Sequence, residues 1–281
     1  MTYKTVFVNP IFSSSAEDKG PSEALTRYAI AFAASQRAHL SVAVGCIRLF
    51  APAAIMVREA RALIGKANDE RKAQATTYGD GFVARAQASG VTASLDVLQE
   101  DYNRLSAHVA HLARFADVAI MEADVGNVSL HEGVLQEVLF ESGRPVIIVP
   151  PAWAGACEVG KAIVSWDGSA KAARALGDAM PLLVHASEVE IVSISGDPDA
   201  SKRIDAAEIA PHVSRHCKKV TVTSLPAQGD VAATLSAHAK LTRADLIVMG
   251  AFARSKLRQL ILGGVTSRMI SEPPCPVIMS Y

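Results

Sequence analysis

DLIVMGAFARSKLRQLILGG, residues 245–264, decides how this chain is read. Asp245 to Met249 form the short apolar run that a parallel strand buried on both faces requires. Gly250 closes that run, and Gly263 and Gly264 close the loop just before a short helical pattern at 264–272. A glycine-bracketed loop between strand and helix is where an α/β protein holds phosphate. Glycine lets the backbone approach a ligand and adopt positive φ, while free N–H groups at a helix start attract an anion with the help of the helix dipole. Arg254, Lys256 and Arg258 either add charge to such a site or form a solvated loop face.

Around this stretch the second half of the chain alternates regularly. Strand-like runs at 161–166, 189–194, 219–224, 245–249 and 276–280 are separated by helical patterns at 169–185, 201–216, 230–241 and 264–272. Such βαβα order implies an open parallel sheet with helices on both faces and right-handed crossovers. Ser169 and Asp230 are placed to cap helices.

The first half repeats the plan. Ala116-Asp117 and the apolar residues after them answer Ala244-Asp245 and theirs; Pro145-Val146-Ile147 answers Pro276-Val277-Ile278. First-half strands fall near 4–8, 40–44, 91–97, 117–121 and 145–149. A longer helix at 57–88 contains Gly79 and Gly81, each costing about 1 kcal/mol in a helix interior, so a bend or break is expected there. The Pro/Gly-rich segment from Pro150 to Gly155 separates two domains, 1–150 and 157–281.

Composition narrows the class. The chain has 281 residues, half of them apolar, enough for two ordinary cores. Lys plus Arg equals Asp plus Glu at 28 each, so no overall field favours nucleic acid or an anionic membrane, and any phosphate site must be local. The start of the chain does not read as a secretion signal and no segment reads as a membrane span, so a cytoplasmic protein is expected. Cys46, Cys157, Cys217 and Cys275 are scattered and read as reduced thiols.

Asp167-Gly168-Ser169 ends the first strand of the second half, beyond the carboxyl end, where open α/β sheets bind ligands. The Asp167 carboxylate either accepts a ribose hydroxyl or serves an ordinary turn and helix cap. Taken together, the Asp-Gly-Ser turn, the Met249-Gly250 to Gly263-Gly264 loop and Pro274-Cys275-Pro276-Val277 resemble a universal stress protein domain, and the duplication resembles the tandem form of that family. The likeness is strong over 160–281; in the first half it rests on strand order and on the run from Arg144 to Pro150.

The resemblance implies an adenine nucleotide alpha hydrolase-like, Rossmann-like fold of two tandem five-stranded sheets. It also implies a stress-response regulator or scaffold that binds ATP, AMP or ADP, with or without Mg2+. By that likeness Asp167 takes the ribose or adenosine side, and Ile194 contacts adenine. Met249 and Gly250 flank ribose and phosphates, and Gly263, Gly264 and Val265 offer backbone N–H groups to phosphate. The family pattern Gly-x2-Gly-x9-Gly-Ser/Thr is altered twice, by Ala253 and by Gly264; Thr266 and Ser267 stand close by with hydroxyls.

Aligning Pro145 with Pro276 sets Glu132 and Gly133 against Gly263 and Gly264, Glu122 against Gly250, and Pro10 or Ile11 against Asp167. Carboxylates repel an anion at close range, so the first half is expected to be a structural, dimer-like partner without triphosphate. The terminal strands 145–149 and 276–280 are candidate pairing edges, by resemblance within the chain, and a homodimer and a protein partner are further possibilities. His108 and His111 lack a third ligand at metal-binding spacing and read as a surface or satisfied pair, and His212, His216 and Cys217 read the same way. No residue stands out as nucleophile or general base. Ala253, Gly264 and the altered first-half loop leave a non-nucleotide interaction module as one competing reading, and the phosphate loop leaves a slow ATP hydrolase as another.

Overall fold

The computed structural model describes residues 2–12, 20–50, 58–123, 130–195, 205–254, 261–262 and 264–281. The apolar runs of the first half form β1 (Thr5–Val8), β2 (Ile11–Phe12), β3 (His39–Ile47), β4 (Ala93–Glu100), β5 (Val118–Glu122) and β6 (Val146–Val149). Between them run α1 (Glu23–Gln36), α2 (Arg58–Ala88), α3 (Tyr102–Ala113) and α4 (Leu130–Glu141). The second half gives β7 (Lys161–Ser165), α5 (Ala170–Leu183), β8 (Glu188–Ser195), α6 (Ala206–Ser214), β9 (Val220–Pro226), α7 (Val231–Thr242) and β10 (Leu246–Gly250). A short ribbon, β11 (Ala253–Arg254) with β12 (Ile261–Leu262), then leads to α8 (Gly264–Ser271) and β13 (Val277–Ser280).

The two five-stranded parallel halves have the same order, β4-β3-β1-β5-β6 and β9-β8-β7-β10-β13. They join edge to edge into one open sheet, because β6 and β13 pair antiparallel with Val277 opposite Ile148 and Ile278 opposite Ile147. This is the meeting of terminal strands that the duplication leads one to expect. An antiparallel seam also turns the carboxyl ends of the two halves toward opposite ends of the sheet, so their loop clusters are separate. All four of these seam residues are fully buried, each worth roughly 1.5–3 kcal/mol of burial.

Strand side chains alternate between two cores, and each core runs through both halves. One is covered by α1, α2, α5 and α6, the other by α3, α4, α7 and α8. Within each half an aspartate clasps the start of the first strand. Asp117 Oδ2 accepts from Lys4 N (2.6 Å) and Thr5 N (2.9 Å), and Asp245 Oδ2 accepts from Gly160 N (2.9 Å) and Lys161 N (2.8 Å). The repeated Ala-Asp dipeptide is thus a structural device.

The break expected at the glycines of α2 does not occur. α2 runs unbroken through Gly79 and Gly81. A Cβ at Gly79 would lie 2.6 Å from Leu95 Cδ1 and 3.2 Å from Val44 Cγ2, so the residue is glycine because the helix lies tight against β3 and β4. Packing against the sheet outweighs its helix penalty.

Candidate functional site

At the carboxyl end of β7 the chain turns sharply. Gly168 has φ 73, a left-handed conformation that favours glycine. Asp167 Oδ1 accepts from Ser169 N (2.9 Å), and Ser169 Oγ caps α5 by accepting from Ala172 N (3.1 Å). The turn-and-cap reading of this motif is therefore realised. The Asp167 side chain is nevertheless exposed at the strand end, where a ligand hydroxyl can reach it.

At Gly250 the need for glycine is one of space rather than of backbone conformation. Neither Gly250 nor Gly264 has positive φ, contrary to the expectation from glycine's freedom. A Cβ on Gly250 would come within 2.7 Å of Ala172 N and of the Lys171 carbonyl carbon, so β10 ends hard against the first turn of α5. Ala253 pairs with Leu262 in the ribbon, extended backbone that an alanine adopts without strain, so this departure from the family pattern costs the loop nothing in backbone conformation. Met249 is buried in the α7/α8 core, leaving its backbone to the site.

Beyond the ribbon, α8 begins at Gly264, and among the described residues nothing lies within 4 Å of where its Cβ would be. Val265 is partly buried behind it. Thr266, 1 % exposed, turns inward, and its Oγ1 accepts from Phe252 N at 2.9 Å. That bond ties the strand end to the helix start. Ile194, half-buried near the end of β8, opposes Leu225. Gly263, Lys256 and Arg258 lie outside the described residues, as do the side chains of Arg254 and Glu132.

The first half fills the corresponding space with its own side chains. Strand register matches Val8 to Val164, since they pair with the equivalent residues Ile120 and Val248; Ile11, not Pro10, therefore stands where Asp167 does. Ile11 is buried. Glu122, in the place of Gly250, receives the Ser22 N–H on both carboxylate oxygens (3.2 Å each) at the start of α1. Gly133, the counterpart of Gly264, lies under the Tyr102 ring: a Cβ there would sit 1.5 Å from Tyr102 Oη. The matching first residue of α7 is Val231, and both helices are capped by aspartate, Asp101 and Asp230.

Sequence reasoning missed the rim of the second-half site. Lys171, in the first turn of α5, holds its Nζ 3.7 Å from the Tyr281 ring centroid and 5.1 Å from that of Phe252. Burial lowers its pKa, with Asp167 pulling the other way. A lysine two residues past a helix cap is visible in the sequence; the rings it would meet are not. Near α8, Arg268 Nη1 lies 3.0 Å from Asp230 Oδ2.

Other polar groups are engaged away from this mouth. Glu190, 4 % exposed, accepts from Thr223 Oγ1 (2.7 Å) and lies 2.9 Å from His238 Nε2 and 3.2 Å from Lys161 Nζ. Burial pushes its carboxyl up, but the Thr223, His238 and Lys161 contacts outweigh that and hold it below the ordinary range. His108 Nδ1 is 3.0 Å from Glu100, and His212 packs edge-on against His216. A cleft of about 370 Å³ between α1 and the segment 154–158 is lined by Arg27, Tyr28 and Cys157. Burial pushes the Cys157 thiol up to about 11, the opposite of an activated nucleophile.

Comparison with known proteins bears on the fold. Residues 160–280 match the model of the universal stress protein family. Over the whole chain the fold resembles a universal stress protein from Archaeoglobus fulgidus DSM 4304, at 17% identity and TM-score 0.68, covering 98% of this chain and 97% of that one. A protein of unknown function from Pseudomonas aeruginosa PAO1 follows at 14% identity and TM-score 0.59, covering 99% and 92%. A putative universal stress protein from Pseudomonas aeruginosa UCBPP-PA14 gives 13% identity and TM-score 0.58, covering 99% and 93%. At these identities the likeness is one of fold. No curated protein matches the sequence. Among the described residues no helix is long and apolar enough to cross a membrane.

Proposed function

We propose, for a chain whose residues 160–280 match the universal stress protein family, that its C-terminal domain, 157–281, binds one adenine nucleotide and that its N-terminal domain, 1–150, binds none. In this reading ATP, AMP or ADP lies across the carboxyl ends of β7 and β10. Asp167 meets the ribose, Ile194 borders the adenine, and the backbone of Gly250 and of Gly263 to Val265 meets the phosphates. Ala253 shapes the ribbon, and Thr266 clasps the loop to α8. The chain then acts in the cytoplasm as a stress-response regulator or scaffold whose ligand state a partner protein reads.

The observation that carries this reading is the open space at Gly264, set against the Tyr102 ring over Gly133. A helix start with no side chain of the described residues above it suits an anion, since the first N–H groups of a helix have no partner within it. The reading is one of binding, with slow ATP hydrolysis as its alternative. The test is thermal or denaturant stability with and without ATP. At a hundred times its Kd the ligand should stabilise the protein by about 2.7 kcal/mol, and Gly264→Glu should remove that gain. An unchanged stability at millimolar ATP would sink the proposal and favour a nucleotide-free interaction module.

A further inference from the structure

Lys171 is an unusual surface cation. Its ammonium rests over two aromatic faces, Tyr281 at 3.7 Å and Phe252 at 5.1 Å from the ring centroids. Both rings are half-exposed, at 45% and 51%. Phe140 packs edge-on with Tyr281, with centroids 4.7 Å apart. Among the described residues no carboxylate side chain lies within salt-bridge distance of it, whereas Arg268, in the last turn of α8, is paired with Asp230. The Lys171 backbone also packs against Gly250, the first residue of the glycine loop. At the matching helix start of the first half, Glu122 brings a negative charge instead.

We propose that Lys171 is the residue that gives the C-terminal site its preference for phosphate-bearing ligands over the bare nucleoside, its ammonium held on Phe252 and Tyr281 until an anion draws it off. This deepens the nucleotide reading and rests on it. The stem of a lysine is long and its ammonium is a point charge with three rotatable donors, so it can leave the rings without moving the helix. Attraction to an exposed ring face is modest beside a charge-assisted hydrogen bond to phosphate. Partial burial, which already disfavours the charged form of this lysine, adds to what a phosphate oxygen returns when it arrives. The same movement uncovers both rings, so that ligand binding changes the surface formed by Phe252 and Tyr281.

The experiment is a pair of calorimetric titrations of the full chain, with ATP and with adenosine, on wild type, Lys171→Gln, Lys171→Met and Lys171→Arg. Lys171→Met keeps an apolar stem on the rings and so separates charge from packing. The expected result is an ATP affinity reduced about tenfold or more in the Gln and Met variants, an unchanged adenosine affinity, and recovery of the ATP preference in the Arg variant. A wild-type ratio of ATP to adenosine affinity in both neutral variants would overturn the role of Lys171 while leaving nucleotide binding intact. A wild-type protein that binds neither ligand would overturn both readings.

Discussion

Gly133 and Gly264 stand at corresponding points of the two halves, near the start of the last helix of each, yet one is roofed by a tyrosine and the other opens to solvent. A few substitutions make the difference: Tyr102 for Val231, Glu122 for Gly250, and Ile11 for Asp167. Each puts one of the protein's own groups where a ligand would go. The Glu122 carboxylate receives an N–H at the start of α1, as a bound anion would. The two halves thus share strand order and meet at the seam, and differ at this mouth.

The largest effect is expected at what the halves share. Both cores cross the β6–β13 seam, so Ile147→Asp, which buries an unpaired carboxylate there, should cost at least about 4 kcal/mol. Denaturant unfolding followed by fluorescence should show both halves lost together, in one transition. Separate transitions would mean that the halves are only loosely coupled.

Next come the paired glycines. Gly133→Ala meets the Tyr102 hydroxyl and should cost about 1–3 kcal/mol, a penalty that Tyr102→Val relieves in the double variant. Gly264→Ala, with open space around it, should fall within about 0.5 kcal/mol of wild type. Equal costs at the two positions would erase the contrast. A smaller change is expected for Glu122→Ala, which removes the carboxylate from the start of α1 and should lower stability by about 1 kcal/mol.

A last contrast is in pH response. Strand register and the α3–α7 match put Ser41 and Val109 where the second half has Glu190 and His238, so the buried ion cluster belongs to one half. The Glu190 carboxyl has a lowered folded pKa. Its stabilising contribution is therefore complete above the unfolded carboxylate pKa, near 4.3, and is lost as pH falls through the lower folded value. Glu190→Gln should flatten the acid limb of a stability profile; an unchanged slope would take the cluster out of the acid response.

Much of the fold was legible because buried parallel strands leave short apolar runs, and capping residues such as Ser169 and Asp230 mark helix starts directly. α2 was misread at Gly79 because the reason for that glycine, contact with Leu95 and Val44, lies in residues distant in sequence. The loop spacing located the site, but the β11–β12 ribbon left no alternating pattern in so few residues. Nor could spacing reveal that Tyr102 lies over Gly133 or that Lys171 lies over Tyr281. Those contacts depend on which way a first-turn side chain faces once two segments meet.

The central claim, one open mouth and one closed, is tested most directly by calorimetric stoichiometry of ATP on the intact chain. The account predicts one nucleotide per chain, abolished by Gly264→Glu and retained in Glu122→Ala. Two nucleotides per chain, or binding that survives Gly264→Glu, would contradict it.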